Sequence, residues 1–279
     1  MHDVFSFFLS LASSHFFKMA LLASMSASII SGIIGSYIVV KRIVFISGSI
    51  SHSVLGGIGF ILYLQYALGF HTCAPLYGAL IAAILSALLI GLIRIFYKQR
   101  EDTVIASLWA FGMSVGVIFI SLTPGQTGDL SLYLFGSLLW ASQTDVYLLL
   151  TLSSIAILLV SLLHRRLLAI CFDEQQASLQ KQPVIFLYLL LLVLIAITVV
   201  LLIQVVGAIL VIAFLSLPAA IANTWTQRLS KMMGLAVIIS MGISFCGMSL
   251  SYLLNWPPGA TIALTATVLY LGNLIRKKG

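Results

Sequence analysis

Apolar runs of about 20 residues succeed one another along nearly the whole chain, and that is the length a bilayer core asks of a helix. They fall at about 16–40, 50–69, 75–96, 103–122, 146–163, 184–203, 207–223, 232–254 and 259–275. None shows the period-two alternation of a barrel strand. Backbone groups in lipid must be paired within their own segment, so each run predicts a transmembrane helix. Two stretches are too short to span alone: an apolar segment at 4–12, read as interfacial, and YLFGSLLWAS at 132–141, read as re-entrant or as the first half of a broken helix. Because 132–163 divides in two ways, eight or nine spans are expected. The resulting fold class is all-α, a polytopic membrane bundle forming one transmembrane domain over 1–279, with no polar run long enough for a second, soluble domain.

The polar punctuation orients the bundle. Alternating the segments with the C-terminus in the cytoplasm puts Lys41-Arg42, 94–102, 164–183, Arg228–Lys231 and Arg276-Lys277-Lys278 on one side, which holds all but Lys18 of the 14 Lys and Arg residues. Short loops poor in positive charge (70–74, 123–131, 204–206, 255–258) fall on the other. That asymmetry is the positive-inside signature. It also gives the net charge of +7 a reading as topology rather than nucleic-acid binding. Composition agrees with a lipid-embedded chain: 61% of residues are hydrophobic and 8% charged, where a soluble domain carries roughly 25% charged residues. Cys73, Cys171 and Cys246 show no C-x-x-C spacing and are odd in number, so neither a disulfide framework nor a zinc cluster is indicated. The N-terminus lacks a basic n-region and a small-residue cleavage site, so no removable signal peptide is expected.

Catalytic signatures are missing. No Gly-Lys dipeptide occurs, which excludes a P-loop, and no H-E-x-x-H. Ser51 and His52 are adjacent, but neighbours on a helix point about 100° apart and cannot form a nucleophile–base pair with each other. The chain therefore reads as a non-enzyme. Glu101, Asp102, Asp173 and Glu174 fall in the expected cytoplasmic loops, where the plain reading is a solvated loop, and Asp145 at a helix N-cap. No span clearly carries the carboxylate relay usual in a proton-coupled transporter, which favours translocation driven by another subunit.

Small residues mark where helices approach. Ser24, Ser28, Gly32 and Ser36 recur every fourth residue, and Gly112 and Gly116 repeat the spacing; such stripes allow close helix contact. Gly35, Gly56 and Gly57 belong to the same packing set. Gly48, His52 and Gly56 share one helix face, giving the imidazole open space on either side. The plain reading of His52 is a buried histidine bonded to a neighbouring helix. The functional reading is a pathway residue, since ionisable groups inside a membrane are costly to keep. Met113, Met241, Met248 and Cys246 read as bundle packing, and His71 and His164 as loop histidines.

Four segments in order carry a resemblance: GSYIVVKRIVFISGSISHSVLGG (Gly35–Gly57), SLYLFGSLL (Ser131–Leu139), VGAILVIAFLSLPAAIA (Val206–Ala222) and LSYLLNWPPGATIAL (Leu250–Leu264). Together they resemble the permease subunit of ATP-binding cassette importers for divalent metals, the zinc, manganese and iron uptake class. The family pattern is an arginine-rich turn with F-x-G-D-x-x-S-H, then L-F-G, then V-G-x-x-L with P-A-A-x-A, then P-x-G. The resemblance implies a homo- or heterodimeric pore of two permeases, a pair of cytoplasmic ATPases that bind the ATP, and an extracytoplasmic metal-binding protein meeting the outer loops. It implies a bacterial inner (plasma) membrane, no cofactor held by this chain, and Zn²⁺ or Mn²⁺ as transported substrate. It places the metal pathway at His52, Gly48 and Ser51, with His52 as the metal-contacting residue. Gly48 stands where relatives carry the aspartate of D-x-x-x-H, and an imidazole without that carboxylate leans toward zinc. Coupling to the ATPase is expected over Pro218–Lys231, with Pro218, Ala219, Ala220, Arg228 and Lys231 named for it. The alternatives are a stand-alone proton-coupled metal carrier or channel, and a membrane scaffold without transport.

Overall fold

The protein is described by a computed structural model over residues 15–69, 74–97, 101–123, 143–208 and 210–278. The stretch 4–12, the loop His71–Cys73, the turn residues 124–129 and the segment 131–141 lie outside the described residues. Among the described residues regular structure is entirely helical: α1 (His15–Lys41), α2 (Val44–Leu68), α3 (Pro75–Tyr97), α4 (Glu101–Ser121), α5 (Gln143–Phe172), α6 (Glu174–Leu179), α7 (Val184–Val206), α8 (Val211–Trp225), α9 (Leu229–Leu254) and α10 (Pro258–Lys278). Eight of these, all but α6 and α8, are long and apolar enough to cross a membrane.

Three boundaries depart from the sequence reading. The Gly/Ser-rich stretch before position 50 is helical, so α2 starts at Val44, and the joint with α1 is only Arg42-Ile43, with Arg42 at φ 61°. The expected turn at Gln204–Val206 belongs to α7, and the chain breaks instead at Gly207, whose φ of 91° suits a residue without Cβ. The next helix, α8, has 15 residues. At 1.5 Å per residue that is about 22 Å, short of the roughly 30 Å hydrocarbon core. The expected span at 207–223 is thus a short apolar helix. The polar stretch 164–183 is mostly helix too, divided between the end of α5 and α6.

Other ends obey local rules. Pro75 and Pro258 open α3 and α10, where a missing N–H costs nothing. Gly69 and Asn255 close α2 and α9 in the left-handed region, at φ 66° and 54°. At the second of these, Ser251 Oγ donates to the Trp256 carbonyl at 2.6 Å.

The chain forms two compact units, whose boundaries fall within α1, α5 and α7. The first comprises residues 1–40, 135–158 and 201–279. In it α8, α9 and α10 pack on one another. The small-residue stripe of α1 is used as expected: Ser28 Oγ pairs with Ser244 Oγ of α9 at 2.8 Å, Ser31 Oγ donates to the Phe214 carbonyl of α8 at 2.8 Å, and Ser24 Oγ meets Met248 Sδ at 3.4 Å. A methyl group at Gly32 would strike the backbone of Val237, and one at Gly35 the Leu215 carbonyl.

The second unit comprises residues 41–134 and 159–200. Here α2 packs against both α3 and α4. Gly57 of α2 and Gly78 of α3 meet backbone to backbone, as do Gly56 with Gly112 and Gly59 with Gly116 across α2 and α4. Serines add polar ties, Ser49 Oγ donating to the Ile105 carbonyl at 2.9 Å and Ser53 Oγ to the Leu108 carbonyl at 3.2 Å. Not every apolar residue is inside: Met113 is exposed and so is Cys246, expected in the core. In a lipid-facing bundle an apolar surface needs no cover, so hydrophobicity alone does not separate core from exterior.

Candidate functional site

His52 is the ninth residue of α2, and its position results from the packing of that helix on α4. The serines at 49 and 53 tie one face of α2 to α4, and the glycines at 56 and 59 let the two backbones touch. This close approach brings Trp109 of α4 onto the imidazole: the rings stack with centroids 4.4 Å apart and planes inclined by 15°. His52 is 8% exposed. Its Nδ1 is buried and has no hydrogen-bond partner among the described residues. The expected open space beside the ring is therefore filled on the Gly56 side, by the backbone of Gly112. Among the described residues the ring rests on a stacked indole, and its Nδ1 makes no hydrogen bond.

An unpaired buried imidazole nitrogen is a costly group to keep, because burial removes water and no protein donor or acceptor replaces it. A neutral imidazole nitrogen with a free lone pair is also a ligand for first-row divalent metals. Ser51 is fully buried, and Gly48, one turn before His52, is also buried. Among the described residues no three His, Cys, Asp or Glu side chains converge. Among the described residues His52 is thus not a corner of a pre-built three-ligand cage.

The second polar centre of this unit reads from sequence as a solvated loop, and the structure finds it ordered. Asp173 Oδ1 caps α6, accepting from the backbone N–H groups of Gln175 and Gln176 at 2.9 and 3.0 Å. Glu174 Oε1 takes Lys41 Nζ at 2.5 Å and Arg94 Nη2 at 3.3 Å. Lys41 Nζ also donates to the Ile170 carbonyl at 2.6 Å, and the Arg94 guanidinium lies 4.5 Å from the Tyr188 ring centroid. One carboxylate thus ties the ends of α1 and α3 to α6. The available signal was Asp173 with Gln176 three residues later, a helix-start pattern embedded in a run of glutamines.

Replacing Glu174 by glutamine should lower the midpoint of thermal unfolding, costing about 2 kcal/mol, because Lys41 is only 10% exposed and would lose its counter-charge. Limited proteolysis after Lys181 should quicken in the variant; an unchanged cleavage rate and midpoint would show that α6 does not depend on the cluster.

The residues expected to couple to an ATPase separate by environment. Pro218 and Ala219 are buried inside α8 and Ala220 is half-buried, whereas Arg228 and Lys231 are exposed at the turn into α9. Of the packing glycines, Gly32, Gly35, Gly56, Gly57, Gly112 and Gly116 all sit where a Cβ would press on a neighbouring helix.

Known proteins place this architecture. The chain is similar to a "Probable metal transport system membrane protein" of Chlamydia pneumoniae, 45% identical over 257 residues, 92% of this chain and 87% of that protein. It is 33% identical to the manganese transport system membrane protein MntC of Listeria monocytogenes over 255 residues, 91% of this chain and 88% of that one. Among solved structures it is similar to PsaBC from Streptococcus pneumoniae in complex with Fab, with a TM-score of 0.85 and 30% identity over 97% of this chain and 95% of that one. Residues 13–277 match the ABC 3 transport family. This multi-pass helical chain belongs to that family, as its non-catalytic membrane permease component.

Proposed function

We propose that the chain is the translocating subunit of an ATP-driven importer for a first-row divalent metal, Zn²⁺ or Mn²⁺ and in the alternative Fe²⁺, in a bacterial plasma membrane. The observation that carries this reading is the buried, unpaired Nδ1 of His52 on a helix locked by backbone-to-backbone contact. The metal is cargo: it is handed past a single nitrogen donor, which binds weakly enough to release it. Names of similar proteins speak of metal transport, and of manganese in the Listeria relative. Residue chemistry leans the other way, since Gly48 leaves the imidazole without a carboxylate one turn away and so suits zinc better than manganese.

In this reading two permeases form the pore, as a homo- or heterodimer, an extracytoplasmic binding protein delivers the metal, and ATP is hydrolysed by a pair of cytoplasmic ATPases. In this reading the short α8 completes a crossing together with the link that precedes it, so that the α8–α9 turn faces the cytoplasm, where Arg228 and Lys231 offer exposed charge to the ATPase. A second element suited to that contact is α6, which the Glu174 cluster fixes while Leu179 stands 85% exposed on it.

The test is competitive uptake of radiolabelled zinc and manganese by cells expressing the chain with its ATPase and binding protein, beside an ATPase-dead control. Uptake that vanishes in the control supports the importer. Uptake that survives would overturn it in favour of a stand-alone carrier. In the same assay Gly48→Asp should raise the manganese-to-zinc ratio by about 3-fold or more, by restoring a carboxylate on the His52 face; an unchanged ratio would remove Gly48 from selectivity.

A further inference from the structure

Away from His52, the ends of α8 and α10 in the first unit are stitched together by side chains. Trp225 Nε1 donates to Asn273 Oδ1 at 2.9 Å, and Asn273 Nδ2 donates to Thr224 Oγ1 at 3.0 Å. Thr224 in turn spends its hydroxyl hydrogen on the Ile221 carbonyl at 2.7 Å. The Arg276 guanidinium lies 6.0 Å from the Trp225 ring centroid, within reach of a cation–π attraction. These four side chains, Thr224, Trp225, Asn273 and Arg276, line a cavity of about 400 Å³.

The stretch of chain that builds this cavity carries charge of one sign. Residues 201–279 contain Arg228, Lys231, Arg276, Lys277 and Lys278 and neither an aspartate nor a glutamate. Among the described residues Arg276 has no acidic partner. Donors are left over as well: Asn273 Nδ2 has a second N–H, and the guanidinium keeps its planar fork of donors free for an oxyanion. The acceptors of the network, Asn273 Oδ1 and Thr224 Oγ1, each already accept one hydrogen bond from within it. The cavity is thus built to receive negative charge.

Its setting selects among anions. Trp225 is 55% exposed at a helix end, the place of an indole in the interfacial belt of a membrane protein. On α10, within about a turn of Asn273 and Arg276, Leu271 and Ile275 are 52% and 76% exposed, an apolar surface that acyl chains would cover. These helix ends are cytoplasmic on the reading proposed above, and basic cavities between membrane helices on that side are suited to phospholipid headgroups. We propose that this cavity binds the phosphate of an anionic phospholipid, with Arg276 and Asn273 on the phosphate oxygens, the Trp225 indole beside the glycerol, and the chains along Leu271 and Ile275.

The experiment uses the full-length chain, purified in neutral detergent and titrated with phosphatidylglycerol, retained lipid being counted by native mass spectrometry. Arg276→Gln and Asn273→Asp should each weaken the tightest site by about 10-fold, and Arg276→Lys should fall between them and the wild type. Arg228→Gln removes the same charge outside the cavity and should leave that site within about 2-fold of the wild type. Free glycerol phosphate and inorganic phosphate should compete poorly. Equal losses in Arg228→Gln and Arg276→Gln would replace the site with diffuse surface charge. Inorganic phosphate binding as tightly as the lipid would make it a soluble-anion site. Unaltered lipid retention with lost ATPase co-purification in Arg276→Gln would make it a protein contact; either of these also overturns the proposal.

Discussion

Metal uptake should fall on the order of 100-fold when His52 is replaced by alanine, while the protein still inserts and assembles with its ATPase. The two halves of that expectation have separate causes. The imidazole makes no hydrogen bond through Nδ1 among the described residues, so removing it strands no buried partner. What the fold loses is the stack on Trp109, about 1 kcal/mol, together with the contacts around a small cavity. What transport loses is the nitrogen that we propose the metal meets. Uptake is measured with radiolabelled zinc, and assembly by co-purification and the thermal midpoint. Normal uptake in the variant would take His52 out of the mechanism, whatever its surroundings. Trp109→Phe serves as the companion, since it keeps a ring against the imidazole and should retain most of the transport.

The larger effect on folding should come from Gly57→Val. A Cβ at Gly57 collides with the Gly78 carbonyl oxygen and with Ala82 Cβ, and a carbonyl in a helix cannot turn aside as a side chain can. The helices must separate, at a cost on the order of 3 kcal/mol, and the amount of folded protein recovered from membranes should drop accordingly. Gly234→Ala is the control: among the described residues nothing lies within 4 Å of a Cβ there, so alanine should be neutral or slightly stabilising. Equal midpoints for Gly57→Val, Gly234→Ala and wild type would mean that the α2–α3 crossing does not limit stability.

Hydrophobic run length made the helices legible, and four-residue spacing made their contacts legible. Ser28, Gly32, Gly56 and Gly112 each meet a neighbour because a repeat near 3.6 puts such residues on one face. What escaped the sequence was set by geometry with no compositional mark. The break at Gly207 looked like part of an apolar run, since a positive φ leaves no trace except the glycine itself. Glu174 looked like one polar residue among glutamines, because its partners Lys41 and Arg94 lie 133 and 80 positions away in the chain. Trp109 was equally hidden as a partner of His52. The spacing rules mark which faces pack, not which residue on the opposite helix arrives at the imidazole. The Trp225–Asn273 pair was out of reach for the same reason.

The glycine crossings have a mechanical consequence. Where side chains mesh, helices can slide by switching rotamers, each small step cheap. Between α2 and α4 the meshing atoms are main-chain atoms: Gly112 against Ser53 Cα, Gly116 against the Leu55 carbonyl, Gly56 and Gly59 against the carbonyls of Gly112 and Gly116. With α3 fastened through Gly57 and Gly78, the three helices behave as one stiff plate without internal shear. A metal gate that opened by moving His52 past Trp109 would have to break that plate. A working cycle would instead swing it whole, carrying imidazole and indole together, so spin labels placed within the plate should hold their separations through ATP turnover while labels that bridge from it to its surroundings change theirs.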